Sequence, residues 1–122
     1  MKIFIFILLT VNGLHLNAQA KVTKYYDTYW METSKDKAIF YADFVKDGNN
    51  YKCTSYWINT TTIRGKSTYP DTMMQIPIGT QVLYFKNGHV ENSSLFEDKQ
   101  LKYSYHYYPN NQLAVHYYVP EK

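Results

Sequence analysis

The side chains of this chain best suited to chemistry near neutral pH are three C-terminal histidines and one cysteine. His106 and His116 are the most suggestive pair. A three-residue loop at Asn110–Gln112 would set them directly opposite each other on neighbouring strands, where Cβ atoms approach to about 4.5–5.5 Å, close enough to share a metal ion. The same register brings no carboxylate and no third histidine beside them, so they read as surface histidines among tyrosines. A small hydrolase of unknown substrate using His106 or His116 is the rival reading, but no nucleophile or acid–base pair assembles around either. Cys53 has no catalytic signature around it, and its neighbours Tyr51, Tyr56 and Trp57 mark it as a small buried side chain. Asp43, Asp47, Glu91, Glu97 and Asp98 offer no defensible acid and base, and Asp36, Asp47 and Asp98 suit turns. Asn59-Thr60-Thr61 and Asn92-Ser93-Ser94 match the glycosylation sequon, which matters only in a eukaryotic secretory route. No phosphate-cradling glycine loop, metal motif or nucleophile elbow is present, and no cofactor is expected.

Composition narrows the classes further. Lys2, the apolar run Ile3 to Leu9 and the small-x-small site Ala18-Gln19-Ala20 form a secretory leader over residues 1–20, cut after Ala20. The run is too short to span a membrane. A single domain follows over residues 21–122, in the periplasm, the cell envelope or outside the cell. Without Lys2 the chain has 12 basic and 10 acidic side chains, and no basic run, so nucleic acid is not an expected partner. One cysteine excludes an intramolecular disulfide. Packing must therefore stabilise the fold, and the material for it is aromatic: all 14 tyrosines, both tryptophans and four phenylalanines follow the leader. Tyrosine suits a thin sheet, because its ring packs while its hydroxyl reaches water.

A repeated phrase indicates how these residues are positioned. Tyr84-Phe85-Lys86-Asn87-Gly88-His89-Val90 returns 23 residues later as Tyr107-Tyr108-Pro109-Asn110-Asn111-Gln112-Leu113. Tyr56 to Ile63 reads as a degraded earlier copy, displaced by 28 residues, with the surplus assigned to the proline-containing stretch Tyr69 to Gly79. Turns near 87, 98 and 110 mark the corners of a meander. Upstream, Lys21 to Trp30 reads as a strand and Met31 to Lys37 as a loop. Ala38 to Lys46 allows a strand or a short helix, with strand preferred because a turn at Asp47-Gly48 and a strand over Tyr51 to Ile58 follow.

A register can be written for the last forty residues. A two-residue turn at Asn87-Gly88 sets Phe85 opposite Val90, and one at Asp98-Lys99 sets Phe96 opposite Leu101. Parity then carries Tyr103, Tyr105 and Tyr107 onto the same face. For the last hairpin, a two-residue turn at Asn110-Asn111 would add Ala114, His116 and Tyr118 to that face. The longer Asn110–Gln112 loop adds Leu113, Val115, Tyr117 and Val119 instead, and is chosen for the apolar area it buries. Tyr84, Glu91, Ser93, Glu97, Lys102, Ser104, His106, Tyr108, His116 and Tyr118 then form a solvated face.

Corners of the type Tyr-x-Asn-Gly at this period resemble the MORN-repeat family, and more narrowly the bacterial MORN-variant repeats of proteins labelled antitoxin components. The resemblance covers residues 83–119, and 56–63 in degraded form. Asn111 replaces the glycine of the second corner, the turn at Phe96-Glu97-Asp98-Lys99 also lacks one, and Lys102 or Tyr103 stands where the family has glycine before its second aromatic pair. The resemblance implies an all-β antiparallel hairpin meander forming one curved or partly rolled sheet, used as a scaffold or interaction surface. The expectation is a non-enzymatic exported module acting through Tyr84, His106, Tyr108, His116 and Tyr118. Its partner is expected to be a protein, with a glycan stacked on exposed tyrosines as the alternative.

Overall fold

The computed structural model describes residues 20–120, so the expected leader, apart from Ala20, lies outside the described residues. Eight antiparallel strands form one open sheet in chain order, the all-β meander expected. They are β1 (Lys21–Tyr26), β2 (Phe40–Asp47), β3 (Asn50–Trp57), β4 (Ile63–Tyr69), β5 (Gly79–Tyr84), β6 (Val90–Glu97), β7 (Gln100–Tyr107) and β8 (Leu113–Tyr118). A single 3-10 turn, Lys35–Lys37, is the only helical element described. The ambiguous segment is a strand: Phe40, Ala42 and Phe44 are buried and the residues between them are not, the period of two that a sheet imposes. Its turn is Gly48-Asn49, one residue later than expected, because Asp47 pairs with Asn50.

One corner geometry recurs at one end of the sheet. Phe85 N–H donates to the His89 carbonyl (2.8 Å) and Gly88 N–H to the Phe85 carbonyl (2.9 Å). Tyr108 and Gln112, with Asn111 N–H returning to Tyr108, repeat this at 2.8 Å in both bonds. So do Asp27 and Met31 (2.9 Å), with Trp30 N–H returning to Asp27 (3.0 Å). In each, the third loop residue takes a positive φ: Trp30 at 61°, Gly88 at 90° and Asn111 at 75°. The corner after Trp57 is one residue longer, closing from Trp57 N–H to Thr62 (3.1 Å) with Asn59 at φ 58°. The degraded copy at Tyr56 is therefore a true structural equivalent. A further copy at Tyr26 escapes sequence reading because Trp30 stands where glycine or asparagine would announce the turn.

These corners correct the register. The loops hold three residues, 86–88 and 109–111, so Val90 faces Tyr84 rather than Phe85, and Tyr107 faces Leu113. Beyond each corner a bulge shifts the pairing: Leu83 meets Asn92, and His106 meets Val115. The tight turn Asp98-Lys99 is as expected, with Phe96 opposite Leu101. A further bulge then pairs Leu95 with Tyr103, so Tyr103 and Tyr105 leave the face of Phe96 and Leu101. In β8 the ladder matches the shorter-turn register, with Tyr105 opposite His116 and Tyr103 opposite Tyr118.

The core lies in the first half of the sheet. Tyr26, Phe40, Ala42, Phe44, Cys53 and Tyr69 form one buried cluster, with Trp30, Tyr51, Trp57 and Met74 packed against it. A single sheet cannot bury such a face alone, and two segments cover it. Trp30, from the first corner, stacks on Phe40 at 4.4 Å and 2°. Residues 70–78, which hold most of the surplus in the repeat period, bring Met74 over the cluster, and Lys24 Nζ binds the Thr72 carbonyl there (3.0 Å). Phe44 is 0% exposed as a result. The two halves meet at β4 and β5, whose ladder has two register pairs, Gly65–Leu83 and Lys66–Val82. A Cβ on Gly65 would lie 2.8 Å from Leu83 Cδ2 and 3.2 Å from the Val82 carbonyl, so glycine permits that approach. Arg64 also spans the junction, donating to the Tyr84 carbonyl (2.9 Å) and to Glu91 (2.7 Å).

Candidate functional site

In the second half the inward face carries polar residues. Asn92, Ser94 and Ser104 are buried, and Ser94 and Ser104 are cross-strand partners, as are Asn92 and His106. Asn92 Nδ2 donates to Ser104 Oγ (2.8 Å) and to the Tyr105 carbonyl (3.0 Å), while Ser94 Oγ donates to Asn92 Oδ1 (3.0 Å). The two serine hydroxyls lie 2.7 Å apart, and Ser104 Oγ lies 3.1 Å from His106 Nε2. Each member satisfies another, which is what allows these groups to be buried. Ser104 and His106 thus belong to a buried polar ladder and not to the solvated face expected for them. The bulge at Lys102 causes the difference, whereas along β5 and β6 the pairing of Leu83 with Asn92 and Val82 with Ser93 is the expected one.

A serine hydroxyl on a histidine nitrogen is also half of a hydrolytic dyad. Here Ser104 is 4% exposed, and its remaining neighbours are the amide and hydroxyl of the same ladder. None of three clefts on the surface is lined by Ser104 or His106. The arrangement can hold strands together; it presents no attacking atom to a substrate.

The expected cross-strand histidine pair does not form. His106 pairs with Val115, and its ring meets Tyr117 edge-on at 5.7 Å. His116 sits on the other face, stacked on Tyr105 at 4.2 Å and 4°. With the rings on opposite sides of the sheet, the argument for a shared metal site is gone. His89 has a structural place: its Nδ1 lies 2.7 Å from the Pro109 carbonyl, which Asn87 also reaches (3.0 Å). A carbonyl only accepts, so Nδ1 carries the proton. Lys86 covers the Trp57 ring at 4.5 Å, and the last three corners are thereby stacked side by side.

Cys53 is buried and has no partner that would activate it; burial first, and then the charge of Asp43, push its thiol up to about 12. That is the opposite of a nucleophile's environment. On the outer face, Tyr41 stacks on Tyr56 (4.8 Å, 20°) and donates to the Thr60 carbonyl (2.7 Å) beside the cleft lined by Tyr25, Asp43 and residues 58–62. Thr23 and Lys21 already engage Asp43 there, at 2.7 and 3.7 Å. Two buried donors, Trp57 Nε1 and Arg64 Nε, have no partner among the described residues.

What remains open is the edge at β8. Leu113, Val115, Tyr117 and Val119, expected in the core, are exposed together with Tyr118 and Tyr108. They lie on or beside the last strand, and among the described residues no strand pairs beyond it and no segment corresponding to residues 70–78 covers them. Of the residues expected to bind, Tyr108, His116 and Tyr118 share this exposed region. Tyr84 is half-buried at the end of β5 with its carbonyl taken by Arg64, and His106 is held in the ladder. The aliphatic members were missed because burial had been used to choose the register.

Comparison with known proteins finds no family model, no curated protein and no solved structure that matches this chain. Among the described residues, no helix is long and apolar enough to cross a membrane.

Proposed function

We propose that this chain is an exported, non-enzymatic β-repeat module of MORN-like type that acts in the cell envelope through the surface of its C-terminal hairpin. The observation that carries this is the exposed run on β8. Leu113, Val115, Tyr117, Tyr118 and Val119 are all exposed along this edge, as is Tyr108 in the corner before it, whereas Phe40, Ala42 and Phe44 of β2 are packed away. Scattered exposed apolar residues need no explanation, but a contiguous set on one edge marks an interaction site. Tyrosine-rich surfaces suit protein partners, since the ring fills a pocket at low entropic cost and the hydroxyl binds at the rim.

The test is quantitative binding of the leader-less chain to an isolated envelope fraction. A Tyr117→Ser, Tyr118→Ser double variant with unchanged circular dichroism should lose at least ten-fold in apparent affinity. Unchanged binding would refute the surface assigned. Hydrolysis of a broad substrate panel that vanishes in Ser104→Ala and His106→Ala, with the fold intact, would favour the enzyme reading instead.

A further inference from the structure

The two edges of the sheet are built differently. At β1, residues 31–33 fold back on the outer side: Glu32 bridges Tyr26, Asp27 N–H reaches Met31, and Thr33 N–H reaches the Tyr25 carbonyl (2.8 Å). The strand also carries Lys21 and Lys24, and Lys24 lies 3.7 Å from Glu32. Lysine and a covering segment are ways by which proteins keep an edge from pairing. β8 has neither. Leu113 to Val119 contains no Lys, Arg, Asp or Glu, and Pro120 follows only after the strand.

The direction of its free groups can be derived. Val119 N–H donates to the Lys102 carbonyl across the β7 side (2.9 Å). Backbone groups alternate along a strand, so Tyr117 and Val115 also face β7, while His116 and Tyr118 turn their N–H and C=O outward. An incoming antiparallel strand therefore finds two residues ready to exchange hydrogen bonds.

We propose that β8 pairs with β8 of a second copy of this chain, antiparallel about a two-fold axis at Tyr117, to make one sixteen-stranded sheet. This rests on reading the β8 surface as the interaction site and names its occupant. In that register Val115 faces Val119 of the other copy, Tyr117 faces its own equivalent, and His116 exchanges backbone bonds with Tyr118. Aliphatic meets aliphatic and ring meets ring on both faces, which is the self-complementarity an isologous contact requires. The strand brings no like charges together, although the chain as a whole is basic. The capped β1 edge disfavours head-to-tail growth, so assembly stops at two.

Sedimentation velocity of the chain from Lys21, which holds all eight strands, reads the result. The mass should rise from one chain to two across roughly micromolar to millimolar concentration, as a short ladder warrants. His116→Pro removes the outward N–H together with the ring stacked on Tyr105, and should keep the chain monomeric, with the fold checked by circular dichroism. His116→Ala retains that N–H and should still dimerise. Tyr117→Cys should form an intermolecular disulfide on mild oxidation, because residues facing each other across a non-hydrogen-bonded pair are close enough. A wild-type chain that stays monomeric to millimolar concentration overturns self-pairing. Envelope binding lost in His116→Pro would then leave the β8 surface standing with a different occupant, and binding unchanged in that variant would remove both readings. Equal loss of dimer in His116→Pro and His116→Ala would also overturn strand pairing, since the contact would then be one of rings.

Discussion

The hairpins β2–β3 and β6–β7 are the same size, two eight-residue strands joined by a two-residue turn, yet they are stabilised by different physics. In the first, Ala42 faces Ser55 and Phe44 faces Cys53. In the second, the inward pairs are Asn92 with His106 and Ser94 with Ser104. Cover explains the difference. The first hairpin lies under Trp30 and Met74, so apolar groups there leave water completely. Among the described residues no covering segment packs an aromatic or methionine over the ladder of the second, whose turn end only borders a cleft with residues 70–79. Its inward face is closed by hydrogen bonds among side chains that tolerate proximity to water. One backbone plan thus supports a core at one end of the sheet and a hydrogen-bonded ladder, with an open strand beside it, at the other.

The sharpest break of this contrast is Phe44→Ala. It empties a fully buried site and should cost about 3–5 kcal/mol in a urea melt, enough to unfold much of a small domain. Ser94, its counterpart on β6, should cost only about 1 kcal/mol when changed to alanine, the worth of its hydrogen bonds.

Alkali should act through the covered half. The folded Cys53 thiol sits at about 12 against a usual 9.0, and the Tyr26 and Tyr69 hydroxyls are also raised, mainly by burial. These groups hold their protons more tightly folded than unfolded, so their stabilisation is complete below pH 9 and is lost as pH rises from there towards 12 and beyond. Denaturant midpoints measured between pH 7 and 11 should be level at first and then fall. A thiol reagent at pH 8 should label Cys53 only at the rate of unfolding.

In the ladder, Asn92→Ala strips partners from Ser94, Ser104 and His106 at once and should cost about 1–3 kcal/mol. The smallest effect is a gain. Asp98 and Lys99 both hold positive φ, at 51° and 65°, in a turn where the second place favours glycine. Lys99→Gly should therefore raise stability by about 0.5–1 kcal/mol, read as a shift of the thermal midpoint.

Much of the meander was legible because the corners have a chemical spelling. Asn87-Gly88 and Asn110-Asn111 mark residues that must take or flank left-handed backbone, and their spacing carried the strand order. Loop length was less legible: a two- and a three-residue corner differ in one hydrogen bond, and bulges after Leu83, Leu95 and His106 each move a face by one place. Choosing the register that buried most apolar surface failed at β8 because it assumed a cover that Trp30 and Met74 supply to the core of the first half. The polar ladder was invisible because a register without the bulge at Lys102 sets Ser104 and His106 on the opposite face from Ser94; the bulge brings the two serine hydroxyls to 2.7 Å.

Residue-resolved amide exchange tests the contrast most directly, because it reads the opening free energy of each hairpin in one sample. The amides of β2 and β3 should exchange only with global unfolding, while those of β6 and β7 open at a free energy lower by at least about 1 kcal/mol, with His116 and Tyr118 fastest of all in dilute solution. Equal protection in the two hairpins would contradict the division of the sheet into a covered core and a hydrogen-bonded ladder.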